Sequence, residues 1–289
     1  MAEAPGAVAI PIRGGQIEAF RLPVAASANG TPLLVLGGVE TGLRQLAGTE
    51  QVLLRRWEAR AAARPVVVIG RPLPDDPSQV EHLMHPRVIA DAVATAIFWL
   101  VANGGPQPPF AIEAESGGGR ISLWLTVDHP ELVARLVLAS VASETPVDSP
   151  MHERMNRWIQ MAEADDWGMF FSHMATVMKP STGGEAPAFE AAARLQPRPA
   201  TPERFVGELR ATLDPSSFVT DRLREISVPA LVLAGERDQV VPLSSTQLVA
   251  DHIPGARLVT DADCGHTVRT SMEDYDDTVE AFLADGDRA

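Results

Sequence analysis

Short apolar runs alternate with segments of helical spacing along the first half of the chain. The runs Leu33–Leu36 and Val66–Ile69 contain no polar residue, and a segment with helical periodicity follows each of them. Continuous apolar strands of this kind are typical of parallel sheets whose two faces are both covered by helices. Right-handed crossovers then place the carboxyl ends of these strands along one rim of the sheet. The pattern therefore predicts an α/β fold built on a mostly parallel central sheet.

The alternation of strands and helices stops in the middle of the chain. After Ser140 there is no convincing buried strand until strand patterns return at 229–234. The intervening stretch holds three segments of helical spacing and a connector rich in proline and glycine. We therefore expect a core domain in two pieces, residues 1–143 and 227–289, with an inserted helical cap over residues 144–226.

Composition and charge narrow the class of protein. A chain of 289 residues with 45% hydrophobic content can bury one large core and carry an inserted subdomain. The net charge of -14 argues against a nucleic-acid partner, and the single cysteine, Cys264, excludes an internal disulfide. The first residues lack the pattern of a signal peptide, and no apolar run is long enough to cross a bilayer. A cytoplasmic protein without a membrane partner is the simplest expectation.

A serine stands where a predicted strand turns into a predicted helix. Ser116 follows an apolar run and precedes Gly117, Gly118 and Gly119. Such a turn holds a nucleophile at strained backbone angles, and its small neighbours prevent collisions. It also directs the first amides of the helix at any negative charge that forms beside the hydroxyl. A glycine-rich phosphate loop is the alternative, but the lysine of a P-loop and the GxGxxG spacing are both absent.

A serine nucleophile needs a base, and the base needs a group that orients it. Asp238 and His266 each come just after a predicted strand, so both are expected on the same rim as Ser116. The order Ser, Asp, His, each after a strand, resembles the α/β-hydrolase superfamily over nearly the whole chain. The resemblance implies Ser116 as nucleophile, His266 as general base and then acid, and Asp238 as the orienting carboxylate. Asp238 could instead be a turn residue or pair with Arg237, in which case Glu144 is the substitute acid.

The same resemblance implies an oxyanion hole formed by the backbone amides of Val39 and Gly117. Many relatives carry histidine where this chain has Gly37, so the loop lacks its usual brace. Gly37 and Gly38 could also do no more than close a turn. The residues expected to contact substrate lie beside this loop, beside the nucleophile and in the cap: Gly38, Glu40, Glu115, Trp158, Trp167 and Phe170. The aromatic residues of the cap could instead be core, at the contact between cap and core domain.

Carboxylates near the expected site need an explanation. Glu113 lies in the central strand, where a buried charge must find a partner or take up a proton. Pairing with nearby arginines, such as Arg71 or Arg120, is the simpler expectation. The sharper hypothesis is that Glu40 or Glu115 meets a cationic or hydroxyl-bearing substrate.

These patterns together predict a serine hydrolase that needs no cofactor and no metal. We expect it to cleave a small or medium apolar carboxylic ester or lactone through an acyl-enzyme intermediate, with a small molecule as its partner. Thioester hydrolysis and carbon-carbon bond hydrolysis use the same three residues and stay open. A lyase or cyclase, or a ligand-binding protein without catalysis, could use the same pocket, and the oligomeric state is not determined.

Overall fold

The computed structural model describes residues 6–25, 27–39, 46, 49–178 and 201–287. Within these residues, nine strands form one sheet in the order β1-β2-β4-β3-β6-β7-β8-β9, and β5 pairs with β2. The strands are β1 (Ala7–Ile12), β2 (Gly15–Arg21), β3 (Leu33–Leu36), β4 (Val66–Ile69), β5 (Leu73–Pro74), β6 (Phe110–Glu115), β7 (Val133–Ala139), β8 (Ala230–Gly235) and β9 (Arg257–Asp261).

Most of the sheet is parallel. Strands β4, β3, β6, β7, β8 and β9 pair parallel to one another, whereas β1 and β2 form an antiparallel hairpin at one edge. Every residue of β3, β4 and β8 is buried, as expected for strands covered on both faces. The predicted mostly parallel α/β sheet is confirmed.

Helices cover the two faces of the sheet. The α-helices of the described residues are α1 (Glu50–Ala63), α2 (Val80–Leu83), α3 (Pro86–Ala102), α4 (Gly117–Asp128), α5 (Pro150–Glu163), α6 (Trp167–Met178), α7 (Pro202–Leu213), α8 (Leu243–His252), α9 (Val268–Ser271) and α10 (Tyr275–Asp287). Helices α1 and α10 pack on one face with Trp57 and Tyr275, while α3, α4 and α8 pack on the other with Ile97, Ile121 and Val249.

Helices α5, α6 and α7 lie between β7 and β8 in sequence, and we call these three helices the cap. Proline opens α5 and α7, at a position where a missing amide breaks no intrahelical bond. The cap has its own apolar core, in which the rings of Trp167 and Phe170 are 5.4 Å apart and those of Phe170 and Phe205 are 5.0 Å apart. Three helices thus lie where the inserted cap was expected, while the cap's bounds at 144 and 226 stay a prediction.

A buried arginine of α4 joins both ends of the cap insertion to the core. Arg120 donates hydrogen bonds to the carbonyl oxygen of Ala142 (3.1 Å) and the hydroxyl of Thr145 (2.8 Å), where the insertion begins. It also donates to the carbonyl oxygen of Thr212 (2.7 Å) and the hydroxyl of Ser217 (3.2 Å), where the insertion ends. Burial lowers the pKa of Arg120 to about 10, so the guanidinium stays charged at neutral pH. One side chain therefore fixes the two connections through which the cap leaves and rejoins the core.

No single helix among the described residues is long and apolar enough to cross a membrane. The helical segment at 77–83 and α3 pass a test of length and composition only as a pair, and the pair is bent by 94°.

Candidate active site

Ser116 occupies a strained turn between β6 and α4. Its backbone angles, φ 49° and ψ -120°, lie in a region that residues with a side chain rarely adopt. The amide of Ser116 donates to the carbonyl of Ala139 in β7, and the amide of Gly119 donates to the carbonyl of Ser116, both at 2.9 Å. A β-carbon on Gly118 would lie 2.3 Å from the carbonyl oxygen of Leu36, so only glycine lets α4 start this close to β3. The turn predicted at Ser116 is present, and the neighbouring strands hold it in place.

Asp238 and His266 meet beyond the ends of β8 and β9. Oδ2 of Asp238 lies 2.8 Å from Nδ1 of His266, and the two residues are 8% and 7% exposed. The other carboxylate oxygen, Oδ1, accepts from the amides of Val240 (2.8 Å) and Val241 (2.9 Å), which fix the plane of the carboxylate. A carboxylate only accepts, so Nδ1 carries the proton and Nε2 is left as the basic nitrogen. The geometry matches a base with its orienting group.

The cap also contacts the segment that carries the histidine. The amide of His266 donates to the carbonyl of Met178, the last residue of α6, at 3.2 Å. On the core side, the hydroxyl of Ser140 donates to the carbonyl of His266 at 3.0 Å. The backbone at His266 is therefore held by one hydrogen bond to the cap and one to the core.

Ser116 and His266 line one cavity of about 310 Å³ between the rim of the sheet and the cap. No hydrogen bond joins Oγ of Ser116 to His266 or to another described residue. Catalytic hydrogen bonds are often long before substrate binds, so this geometry is compatible with a serine and base that pair in the complex. Within the described part of the chain, no group of three or more His, Cys, Asp or Glu side chains could hold a metal ion.

The cavity has two chemically different walls. We call the cap side the apolar wall, and it is formed by Met155, Trp158, Met174, Met178, Phe205 and Leu209. We call the opposite side the charged wall, and it is formed by Arg56, Glu115 and Arg269. On the charged wall, Nη2 of Arg56 lies 3.1 and 3.2 Å from the two oxygens of Glu115, and Nη1 of Arg269 lies 3.8 Å from Oε1 of Glu115. Glu115 is thus paired with arginine rather than free for a cation.

Residues 37–39, which we call the oxyanion loop, lie against the turn at Ser116. A β-carbon on Gly38 would lie 3.3 Å from Cβ of Ser116, and a β-carbon on Gly117 would lie 3.5 Å from the amide nitrogen of Val39. Gly38 and Val39 both line the cavity. The two amides expected to form an oxyanion hole are therefore neighbours beside the serine.

The other expected substrate contacts divide into three groups. Trp158 and Glu115 line the cavity, as Gly38 does. Trp167 and Phe170 are not among the cavity's lining residues, because they pack inside the apolar core of the cap. Glu40 lies outside the described residues.

Glu113 pairs with an arginine as expected, but the two arginines named for it, Arg71 and Arg120, were wrong. Glu113 lies on the face of β6 that α1 and α10 cover, and its carboxylate accepts from Nε of Arg60 (3.2 Å) and from the hydroxyl of Tyr275 (3.1 Å). Burial raises the pKa of Glu113 above its ordinary value, and the charge of Arg60 offsets part of this rise. Arg71 and Arg120 bind elsewhere because they lie on the cap side of the core, at Glu208 and at the ends of the cap insertion.

Glu208 was not expected at the site from the sequence. This buried cap residue binds Arg71, which in turn donates to the carbonyl of Gly37 in the oxyanion loop. The absence of the usual histidine at Gly37 was a signal that some other group must hold the loop.

Sequence and structure comparisons relate the chain to known hydrolases. A family profile described as "alpha/beta hydrolase fold" matches residues 74–268. A 2-hydroxymuconate semialdehyde hydrolase of Pseudomonas putida is 28% identical over 183 residues, which are 61% of this chain and 63% of the relative. This match spans less than two thirds of that relative's length. A 2-hydroxymuconate semialdehyde hydrolase of Pseudomonas sp. (strain CF600) is 25% identical over 280 residues, covering 91% of this chain and 90% of the relative.

Among solved structures, the enol-lactonase from Burkholderia xenovorans LB400 superposes with a TM-score of 0.73. The match is 17% identical and covers 96% of this chain and 100% of that chain. At this identity, the likeness shows that the two proteins share a fold.

Proposed function

Because the chain belongs to the α/β-hydrolase fold family, we propose that it is a serine hydrolase that cleaves a small or medium apolar carboxylic ester or lactone through an acyl-enzyme. The observation that carries the proposal is the 2.8 Å contact between Asp238 and His266 in a cavity that Ser116 also lines. Serine is a weak nucleophile by itself, and this pair is the base that it needs.

In the proposed reaction, Oγ of Ser116 attacks the carbonyl carbon of the substrate while Nε2 of His266 takes the hydroxyl proton. Asp238 holds the ring and stabilises the imidazolium that forms. The amides of Val39 and Gly117 donate to the oxygen that becomes negative. The protonated histidine then gives its proton to the leaving oxygen, which departs as an alcohol and leaves an acyl-enzyme. Water attacks this ester, His266 again takes the proton and returns it to Ser116, and the carboxylic acid leaves.

The apolar wall supports an apolar substrate. Trp158 and Phe205 offer aromatic surface, and the methionines adapt to groups of different shape. A cavity of about 310 Å³ suits a small or medium molecule. The structural likeness to an enol-lactonase is consistent with a cyclic ester.

Carbon-carbon bond hydrolysis is the second candidate. Two relatives are named for 2-hydroxymuconate semialdehyde, a compound that carries a carboxylate and no ester. Arg56 and Arg269 on the charged wall could bind such a carboxylate, since guanidinium groups form charge-assisted hydrogen bonds with carboxylates. This candidate keeps the same nucleophile and base.

The test reacts the protein with a fluorophosphonate, short p-nitrophenyl esters, small lactones and 2-hydroxymuconate semialdehyde. S116A is the test variant, and S244A is the matched control because Ser244 is exposed on α8, away from the cavity. We expect labelling and ester or lactone turnover in the wild type and in S244A, and neither in S116A. Turnover of the semialdehyde alone would favour the second candidate, and unlabelled, inactive, folded wild type would refute both.

A further inference from the structure

A buried arginine holds the oxyanion loop from behind. Nη2 of Arg71 donates to the carbonyl oxygen of Gly37 at 3.0 Å. The same guanidinium binds the carboxylate of Glu208, with Nε 3.0 and 3.1 Å from its two oxygens and Nη2 2.9 Å from Oε1. The side chains are 0% and 2% exposed, so water does not compete for these bonds. Arg71 therefore links the loop to a carboxylate through desolvated, charge-assisted hydrogen bonds from Nε and Nη2.

The carboxylate in this link comes from the cap. Glu208 lies on α7, whereas Arg71 follows β4 and Gly37 follows β3, so the chain of contacts runs from cap to core. Arg204, one turn before Glu208 on α7, donates from Nη2 to the carbonyl of Arg71 at 3.1 Å. Arg204 and Glu208, both on α7, therefore fix the position of Arg71, and Arg71 in turn binds the oxyanion loop.

The link lies beside the atoms that would stabilise the oxyanion. A β-carbon on Gly117 would lie 3.2 Å from Oε1 of Glu208 and 3.5 Å from the amide nitrogen of Val39. The carbonyl of Gly37 begins the short backbone segment that ends at this amide, so fixing the carbonyl limits how the segment can rotate. The charge of Arg71 also offsets the carboxylate of Glu208, which by itself would repel a nearby oxyanion.

We propose that Glu208 and Arg71 are positioning residues that hold the oxyanion loop in its active geometry, so that the oxyanion hole is complete only while the cap is seated on the core. The inference rests on the proposed function, since an oxyanion forms only if the protein performs acyl transfer. The pair replaces the brace that Gly37, standing in the place of a histidine, does not provide. It makes the cap a regulator of the chemical step as well as a wall of the cavity.

The experiment compares E208A with E203A. Glu203 is exposed on the same cap helix, so E203A removes an equal charge without touching the loop. The readouts are kcat and KM for p-nitrophenyl butyrate, and hydrogen-deuterium exchange of the amides at 37–39. In E208A we expect kcat to fall about tenfold to a hundredfold, less than the full loss of an oxyanion donor, with KM changed less than about threefold. The amides at 37–39 should exchange faster in E208A than in the wild type, and at the wild-type rate in E203A.

A second variant separates positioning from folding. In R71M/E208M, apolar side chains of similar length replace the buried pair, a change that usually preserves stability. We expect this variant to melt near the wild-type temperature and still to show the lower kcat and the faster exchange at 37–39. A folded R71M/E208M with wild-type kcat would overturn the inference.

Exchange is read whether or not the wild type cleaves the ester. Unchanged exchange at 37–39 in both E208A and R71M/E208M would overturn the inference, even if activity fell. If both variants exchange faster at 37–39 than a wild type that cleaves no ester or lactone, the proposed function is refuted and the link between cap and loop is supported.

Discussion

Two arginine-glutamate pairs between α1 and β6 allow a sharp test of how burial sets the value of an ion pair. Arg60 binds Glu113, and these side chains are 4% and 1% exposed. One turn earlier on the same helix, Arg56 binds Glu115, and these side chains are 36% and 23% exposed. The pairs share a helix and a strand, but the Arg60 pair is shielded from water, and Arg60 also binds Asp276 and Glu280. We predict that R60M destabilises the protein far more than R56M.

The size of the difference follows from what each substitution leaves behind. In R60M, Glu113 keeps the hydroxyl of Tyr275 at 3.1 Å and an ion pair with Nε of Arg269 at 3.9 Å, but it loses the guanidinium that donates a hydrogen bond to it. Removing one partner of a buried ion pair typically costs about 3–5 kcal/mol of unfolding free energy. An exposed pair is worth about 0–1 kcal/mol, because water screens it. We therefore expect R60M to be at least about 2 kcal/mol less stable than R56M.

The pH dependence of this loss has a definite sign. Burial raises the pKa of Glu113, and the charge and hydrogen bond of Arg60 oppose that rise. Without Arg60 the pKa rises further, so folded R60M binds a proton that the unfolded chain releases at lower pH. A carboxyl whose pKa is raised on folding contributes stability below its unfolded pKa and loses it as pH rises through the folded pKa. The deficit of R60M should therefore grow as the pH is raised from the acidic range toward neutrality.

The assay is urea denaturation followed by circular dichroism at several pH values. For R60M at neutral pH we expect the midpoint to fall by about 1 M or more, with a smaller fall for R56M. Equal midpoints for the two variants, or a deficit of R60M that shrinks as the pH rises, would refute the reasoning.

Two further substitutions test the site and the cap. In D238N, Oδ1 should keep its hydrogen bonds from the amides of Val240 and Val241, so the new NH2 group faces His266 and moves the ring proton to Nε2. We expect kcat for esters to fall about a thousandfold or more, and a loss under tenfold would contradict this. In R120M, both ends of the cap insertion lose buried hydrogen bonds, so we expect the free energy of unfolding to fall by about 2–4 kcal/mol and the cap to be cleaved faster by proteases. A cap as resistant to proteolysis as that of the wild type would count against this role of Arg120.

The apolar pattern was sufficient to predict the sheet. Runs such as Leu33–Leu36 and Val66–Ile69 can be buried only where both faces are covered, and the structure places them in the parallel centre. The turn at Ser116 was also readable, because Gly118 is the residue type that such a close approach requires. Local sequence determines these features, because each depends on the apolar character or the small size of the residues at those positions.

Side-chain partners were decided only by the tertiary structure. Glu113 was expected to bind Arg71 or Arg120 but binds Arg60, and Arg71 instead binds Glu208, 137 residues away. A periodic pattern tells which face of a helix is buried, but it does not tell what that face packs against. For the same reason, Phe170 was expected at the substrate and lies inside the cap core. Which side chains form an ion pair depends on how helices and strands pack against one another, and this packing is determined by the whole chain rather than by any one segment.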